Sequence, residues 1–529
     1  MQYFIPAWYN GNDWKENEQV WYRSRAVTEF DDTVKQIQLF FRNHVAPFHI
    51  LVLGFSPNFR HFLHRQGVYH ASYASIFDMM QGVSEDSMKL FSYKDLEWPD
   101  GVEFIYSPFT IVVMHNGVQY AQIEFAEDGN MFRVDMFEKG QMHCRNYYDD
   151  RGFVSCQVIY QDGQPYWERY FNEDGVWKFA RSLEDEHVII NPESNFYILQ
   201  ANEKRRKVTY QKERYNKIDE VIEEVLQEFL METQENDKFI VAMHSLHSGV
   251  LGHVMKERKT IMSLFERRFA DKGMTDADID LLLSADYIVA DKQVTADSIQ
   301  QYAKKNNIPM RVITPYDSRV EFSSGQHLRV QNVFVPVDRI RDDIFDKMIV
   351  ELANYVKERN DRARINLIIQ SLRYNEKRNM INKVRTALFN AGLDPDYARE
   401  ESGVSENLVD ESDKADIIFS VIQCLDEMSV SKELQKQRVM VDLREVPEQF
   451  IQISAMSMGI PQVTMKETDY LVDGKNGIVV HEISQLSDAI EYYLSDIAHF
   501  NEAQIASYDL GSNFTTDKLV NAWKEVMAE

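Results

Sequence analysis

The chain has 529 residues, of which 44% are hydrophobic and 12% aromatic, and a formal net charge of -26. This is enough chain for several domains of ordinary size and too apolar for a disordered protein. The acidic balance excludes general nucleic-acid binding, which needs a basic face. Three cysteines, Cys144, Cys156 and Cys424, have no metal-type spacing and point to a reducing, cytoplasmic compartment, with no metal site expected. Met1-Gln2-Tyr3-Phe4-Ile5-Pro6 lacks the basic start and apolar core of a secretory signal. No apolar run approaches the roughly 20 residues of a membrane span.

Residues 1–98 read as alternating strand and helix. Tyr3 to Ile5 predicts a first strand, and Trp8, Tyr9 and the polar run after them a loop. Asp31 to Asn43 predicts an amphipathic helix with Val34, Ile37, Leu39 and Phe40 apolar. Phe48 to Leu53 is a buried strand, and Gly54-Phe55-Ser56-Pro57 turns into a helix running through Arg65. A lone Gly54 falls short of a G-x-G-x-x-G fingerprint, so this is an ordinary strand-helix turn.

Residues 99–195 change character. Turn dipeptides fall at Asn116-Gly117, Asp128-Gly129, Lys139-Gly140, Arg151-Gly152, Asp162-Gly163 and Asp174-Gly175, with glycines stepping by 12, 11, 12, 11 and 12 residues. Between them lie runs of Val, Ile, Phe, Tyr and Trp. The pattern predicts a long antiparallel β-meander, because glycine supplies the positive φ of a tight hairpin. Tyr147, Tyr148, Tyr166, Trp167, Tyr170 and Phe171 read as cross-strand packing, with a binding face as the competing reading. A sheet this long needs its edges covered, which invites a protein partner.

The α/β pattern returns from Phe196 and runs to residue 328. Lys204-Arg205-Arg206-Lys207, with Lys212, Arg214 and Lys217, is the densest basic cluster of an acidic chain. It reads as solvated surface or as a contact for lipid phosphates or an acidic partner. Ile218 to Met231 predicts a helix. Phe239 to Met243 predicts a strand that ends in His244-Ser245-Leu246-His247. With no further ligand in view, these histidines are read as hydrogen-bonding or packing groups and not as a metal site. Leu281 to Leu283, Asp286 to Ala290 and Met310 to Ile313 continue the alternation.

A second α/β region follows over residues 329–510. Strands are expected at Val333 to Val337, Ile365 to Gln370, Ile417 to Ile422 and Val439 to Leu443, with helices at Phe345 to Glu358 and Asn375 to Ala391. Pro447 suits a first helical turn, where its missing N–H has no partner to lose. The helix that follows ends at Gly459 and Pro461. Gln462 to Met465 and Ile478 to His481 are short strands around the turn Asp473-Gly474-Lys475-Asn476-Gly477. Thr516 to Met527, within 511–529, predicts a closing helix that packs back on the first half.

The run Ile453-Ser454-Ala455-Met456-Ser457-Met458-Gly459-Ile460-Pro461 resembles the C-terminal half of GT-B glycosyltransferases, whose helix carries L-E-A-M-A-x-G-x-P. Asp286-Tyr287-Ile288-Val289-Ala290 and the polar helix start after it are similar to the family's N-terminal half. The resemblance implies a GT-B-like fold of two Rossmann-like domains with the β-meander inserted in the first. It also places the donor site. The glutamate that holds the nucleotide ribose or sugar falls on Ser454, and its partner eight residues earlier falls on Val446, with Glu445 and Glu448 near. Serine cannot make a carboxylate's bidentate contacts. Arg339 matches the arginine that grips the donor diphosphate, but the lysine about five residues on falls on Ile344, and Lys347 is the nearest lysine. The glycine is kept as Gly459. The scaffold is that of a transferase, and its donor site is degenerate.

The order of meander, Lys204–Lys207 segment and degenerate GT-B half is similar, over the whole chain, to the accessory Sec system protein one family of streptococci and relatives. That resemblance implies a non-catalytic, cofactor-free cytoplasmic protein. It would assemble with the other accessory secretion proteins and the accessory SecA motor to export a glycosylated serine-rich repeat adhesin. A link to glycan, or to anionic lipid at the inner membrane face, suits the cleft and the basic cluster. The competing expectation is an active sugar-nucleotide-dependent glycosyltransferase in which Glu445 or Glu448 replaces the lost carboxylate.

Overall fold

The computed structural model describes all residues except 10, 16–30, 85, 127, 200–203, 270–272, 322, 372–374 and 400–416. Much of the loop expected after Tyr9 therefore lies outside the described residues. The chain divides into two compact units: Met1–Thr28, Asp32–Ile313 and Trp523–Glu529 form the first, and Glu29–Asp31 and Thr314–Ala522 the second.

The first unit is built on a parallel sheet of seven strands. Their order is Met310–Val312, Tyr287–Ala290, Lys259–Leu264, Lys238–Ala242, Gln2–Ile5, Phe48–Val52 and Tyr73–Ser75. The central strands are apolar at consecutive positions, as a sheet covered on both faces requires: Phe4, Ile5, Phe239, Ile240 and Val241 are all buried. Leu281 to Leu283 is helical, the end of helix Asp276–Leu283. The end of the last helix, Thr516–Ala528, contributes Trp523, whose indole meets the Phe40 ring edge-on at 5.5 Å.

A ten-stranded antiparallel sheet belongs to the same unit, with neighbours in near-sequential order from Val102–Tyr106 to Arg214–Tyr215. Its turns alternate between two designs. Asn116-Gly117, Lys139-Gly140 and Asp162-Gly163 have positive φ at both residues and close the pairs His115↔Val118, Glu138↔Gln141 and Gln161↔Gln164. These are two-residue turns of the hairpin-favouring hand. At Gly129, Gly152 and Gly175 only the glycine has positive φ, and the loop is longer: Ala126 N–H bonds Asn130 O, Asp149 N–H bonds Phe153 O, and Asn172 N–H bonds Val176 O. The alternating steps of 12 and 11 residues record the two designs.

The longer loops fasten the meander to the α/β part of its unit. Asn130 Nδ2 donates to Asn58 Oδ1 at 2.8 Å, and Ser84 N–H donates to Glu173 at 2.8 Å. Asp149-Asp150-Arg151 forms an ionic bracket. Asp149 accepts from Arg60 at 3.1 Å and from Arg151 at 2.6 and 2.8 Å. Asp150 pairs with Arg60, and Arg151 reaches Asp78 at 2.8 Å. Burial pushes the Asp150 carboxyl up to about 7, against the pull of Arg60 and with the help of Asp149.

The second unit holds a parallel sheet of six strands: Phe419–Gln423, Ala363–Ile369, Gln331–Pro336, Val439–Asp442, Gln462–Thr464 and Gly477–Val479. Strand order reverses direction between Gln331–Pro336 and Val439–Asp442, which creates a crevice at their carboxyl ends. Helices Asp342–Glu358 and Leu486–Ser495 pack Phe345, Leu352, Ile490 and Tyr493 into one core with this sheet. Pro447 is not in the first helical turn. The helix begins at Gln449 with Glu448 as its N-cap, and Pro447 is buried just ahead of it. Proline's fixed φ and lack of a donor serve equally well in that approach.

Candidate functional site

The crevice at the strand reversal of the second unit is the site that the fold itself provides. Two residues beyond strand Gln331–Pro336 sits Asp338, whose carboxylate accepts the Gln370 backbone N–H at 2.7 Å. Asp442 ends the adjacent strand and is fully buried. Arg444, also buried, folds back on it with Nε at 2.9 Å and Nη2 at 2.7 Å. Arg444 Nη1 lies 3.8 Å from Glu448, and Glu448 accepts from Gln370 Nε2 at 3.4 Å.

One guanidinium thus serves several carboxylates at the place where a fold of this kind receives a nucleotide. Burial alone would lower the Arg444 pKa; Asp442 bonded to it, with Glu448 and Asp338 nearby, outweighs burial and raises it. Burial holds Asp338 above the usual carboxylate range, against the Gln370 N–H and Arg444 and with Glu448 and Glu376 adding to the rise. The cation is committed internally.

The sequence-predicted positions lie around this cluster. Arg339 is exposed and holds a left-handed backbone with φ 61°. Ile344 is half-buried against the core of its unit. Val446 is 41% exposed, and Ser454 is buried within helix Gln449–Ser457. Gly459 has φ 66°, and a Cβ there would lie 2.4 Å from Gln504 Cγ, so the position has a packing reason to be glycine. Glu445 is exposed and Glu448 faces Arg444. Asp338, Asp442 and Arg444 escaped sequence reasoning. The only local trace was an aspartate and an arginine two residues apart at a strand end.

The basic cluster is partly consumed by its own unit. Strand Arg205–Val208 pairs with Phe196–Leu199. Arg205 donates to the carbonyls of Val83 and Ser84 at 2.5 and 3.1 Å. Arg206 binds Glu228 at 2.9 Å and Glu232 at 2.7 Å on helix Ile218–Leu230. Lys204 and Lys207 are exposed.

The histidines after strand Lys238–Ala242 act as read from sequence. His244 caps the next helix through Nδ1, which accepts the Leu246 N–H at 3.1 Å. His247 is fully buried with Nδ1 2.9 Å from Tyr9 OH, and burial pushes it down to about 3. Most of the meander aromatics pack. Tyr170 stacks on Phe179 at 4.5 Å, Tyr148 lies against Phe91 and Tyr147 against Phe132, while Tyr166 is exposed. Among the described residues there is no group of three or more acidic, histidine or cysteine side chains placed to hold a metal ion. Nor is any helix among them long and apolar enough to cross a membrane.

Comparison with known proteins agrees with this anatomy. Residues 1–529 match the pattern of the accessory Sec system protein one family. The Streptococcus gordonii protein of that name is 30% identical over all of this chain and 99% of its own. A solved complex of accessory secretory proteins 1, 2 and 3 from Streptococcus pneumoniae contains a chain 27% identical, with TM-score 0.78 over 99% of this chain and 98% of that one. The pneumococcal O-GlcNAc transferase GtfA, solved with UDP and GlcNAc, is 10% identical with TM-score 0.68 over 100% of this chain and 98% of its own, a likeness of fold. The fold is GT-B-like: two Rossmann-like domains with an inserted antiparallel β-meander. The chain belongs to the accessory Sec system protein one family.

Proposed function

We propose that this protein is a non-catalytic, GT-B-like component of the accessory Sec machinery. It assembles with the other accessory secretion proteins and the accessory SecA motor to export a glycosylated serine-rich repeat adhesin. Membership of the family and the solved complex of a relative support assembly. The observation that carries the non-catalytic reading is the internal pairing of Arg444 with Asp442 and Glu448 in the crevice.

The magnitude favours exclusion of a sugar nucleotide. Arg444 is already engaged by Asp442 and lies beside Glu448, so its guanidinium is not open to a diphosphate. Serine at 454 forgoes the ribose carboxylate, a charge-assisted bond of roughly 1.5–3 kcal/mol. Titration calorimetry of the full chain with UDP-GlcNAc is expected to show no binding into the millimolar range. A micromolar Kd refutes the reading.

Glu448 sustains the competing transferase reading, because it stands at the N-cap position of helix Gln449–Ser457 with its carboxylate near Arg444 and Gln370. Turnover of a serine-rich acceptor peptide that vanishes in Glu448→Gln or Glu445→Gln decides for an enzyme. Contact with anionic lipid at the inner membrane face would use the exposed Lys204 and Lys207, and Arg205 and Arg206 bond within their own unit. Salt-dependent liposome flotation, lost when both lysines become glutamate, tests it.

A further inference from the structure

The two edges of the ten-stranded sheet are unequal. One ends in the two-residue strand Arg214–Tyr215. The other ends in Val102–Tyr106, five regular residues that, among the described residues, pair only with Ile111–His115. The hairpin joining that pair is closed by Ser107 N–H donating to Thr110 O at 3.1 Å. Hydrogen-bonded and non-bonded pairs alternate along an antiparallel ladder. Counting back from Ser107, the pairs of Ile105 and Glu103 are bonded, and Val102, Phe104 and Tyr106 turn their N–H and C=O groups outward. Among the described residues no hydrogen bond satisfies these outward N–H groups.

Sheet edges are normally blunted by lysine, proline, bulges or a covering element. This edge has none of these within the strand. Phe104 is covered on one face by Trp98 and Tyr93, but Ile105 is 52% exposed, Tyr106 63% and Phe109 54%. The flanks are acidic: Asp95, Glu97, Asp100 and Glu103 are exposed beside a single lysine, Lys94.

We propose that strand Val102–Tyr106 is a docking edge for an extended segment of a different polypeptide that alternates basic and apolar residues. Three outward N–H and three outward C=O groups supply the main-chain pairing, and the exposed apolar side chains supply the grip. Charge chooses the occupant. A second copy of this chain would set two acidic flanks side by side in a protein of net charge -26, whereas a basic strand neutralises them. The surface is a property of the sheet edge and stands whether or not the crevice binds a nucleotide.

The test uses the full chain and a fluorescein-labelled peptide of four lysine–valine repeats, with a glutamate–valine peptide as control. The basic peptide is expected to bind and to slow deuterium exchange at Val102, Phe104 and Tyr106, and the acidic peptide not to bind. Glu97→Lys with Glu103→Lys is expected to weaken binding at least about tenfold. Tyr106→Pro removes an outward N–H and no bond of the existing ladder, and is expected to do the same. Equal binding by Tyr106→Pro and the parent chain, without protection of those amides, means adhesion to acidic surface and overturns the proposal. A parent chain that elutes as a dimer, and becomes monomeric on Ile105→Lys, makes a second copy the occupant and likewise overturns it.

Discussion

The Arg444–Asp442 pair can be tested by substituting Arg444→Met. The change keeps most of the side-chain volume and removes two charge-assisted bonds, at 2.9 and 2.7 Å. At roughly 1.5–3 kcal/mol each they sum to about 3–6 kcal/mol. Breaking a buried pair by deleting one partner costs about 3–5 kcal/mol, because the other charge stays buried and alone. The two routes agree near 4 kcal/mol. The assay is urea unfolding followed by hydrogen exchange of the Val439–Asp442 amides, which reports on this unit alone. Arg444→Met with Asp442→Leu removes both charges and is expected to recover most of the loss. A single-variant cost below about 1 kcal/mol, or a double variant worse than the single, refutes the view of the crevice as a closed ionic unit.

Restoring the glutamate by Ser454→Glu is expected not to restore UDP-GlcNAc binding in calorimetry, because the carboxylates around Arg444 remain. Asp149→Ala takes one partner from Arg60 and Arg151, which keep Asp150 and Asp78, and is expected to cost about 1.5–3 kcal/mol, with protease cleavage concentrated in the meander; Asp149→Asn costs less because it keeps an acceptor. His247 has its pKa lowered by burial, from an ordinary 6.5 to about 3. Its contribution is therefore complete above pH 6.5 and falls by about 1.4 kcal/mol per unit as pH drops toward 3. In urea midpoints between pH 6 and pH 4, His247→Gln is expected to flatten the acid slope, and parallel slopes contradict this. Gly459→Ala, with φ 66° and Gln504 against the new Cβ, is expected to destabilise more than Gly140→Ala, where no atom lies within 4 Å. The thermal midpoints of the two variants decide it.

The features legible in the sequence are those that a few neighbouring residues settle among themselves. Asn116-Gly117 and Lys139-Gly140 announced their turns because positive φ is a local cost that glycine avoids, and Gly459 announced a helix end for the same reason. Consecutive apolar residues at Phe239–Val241 announced a strand covered on both faces. Charge partnership was not legible. Arg205 and Arg206 read as a basic surface until helix Ile218–Leu230 and the carbonyls of Val83 and Ser84 came within bonding distance. Asp338 and Arg444 stand about a hundred residues apart in the chain and meet only because adjacent parallel strands end at the same edge. The sequence by itself determined the elements, the meander and the absence of a glutamate at 454. Tertiary structure alone decided which charges cancel, because electrostatic energy depends on separation in space and on burial, and neither is set by position along the chain.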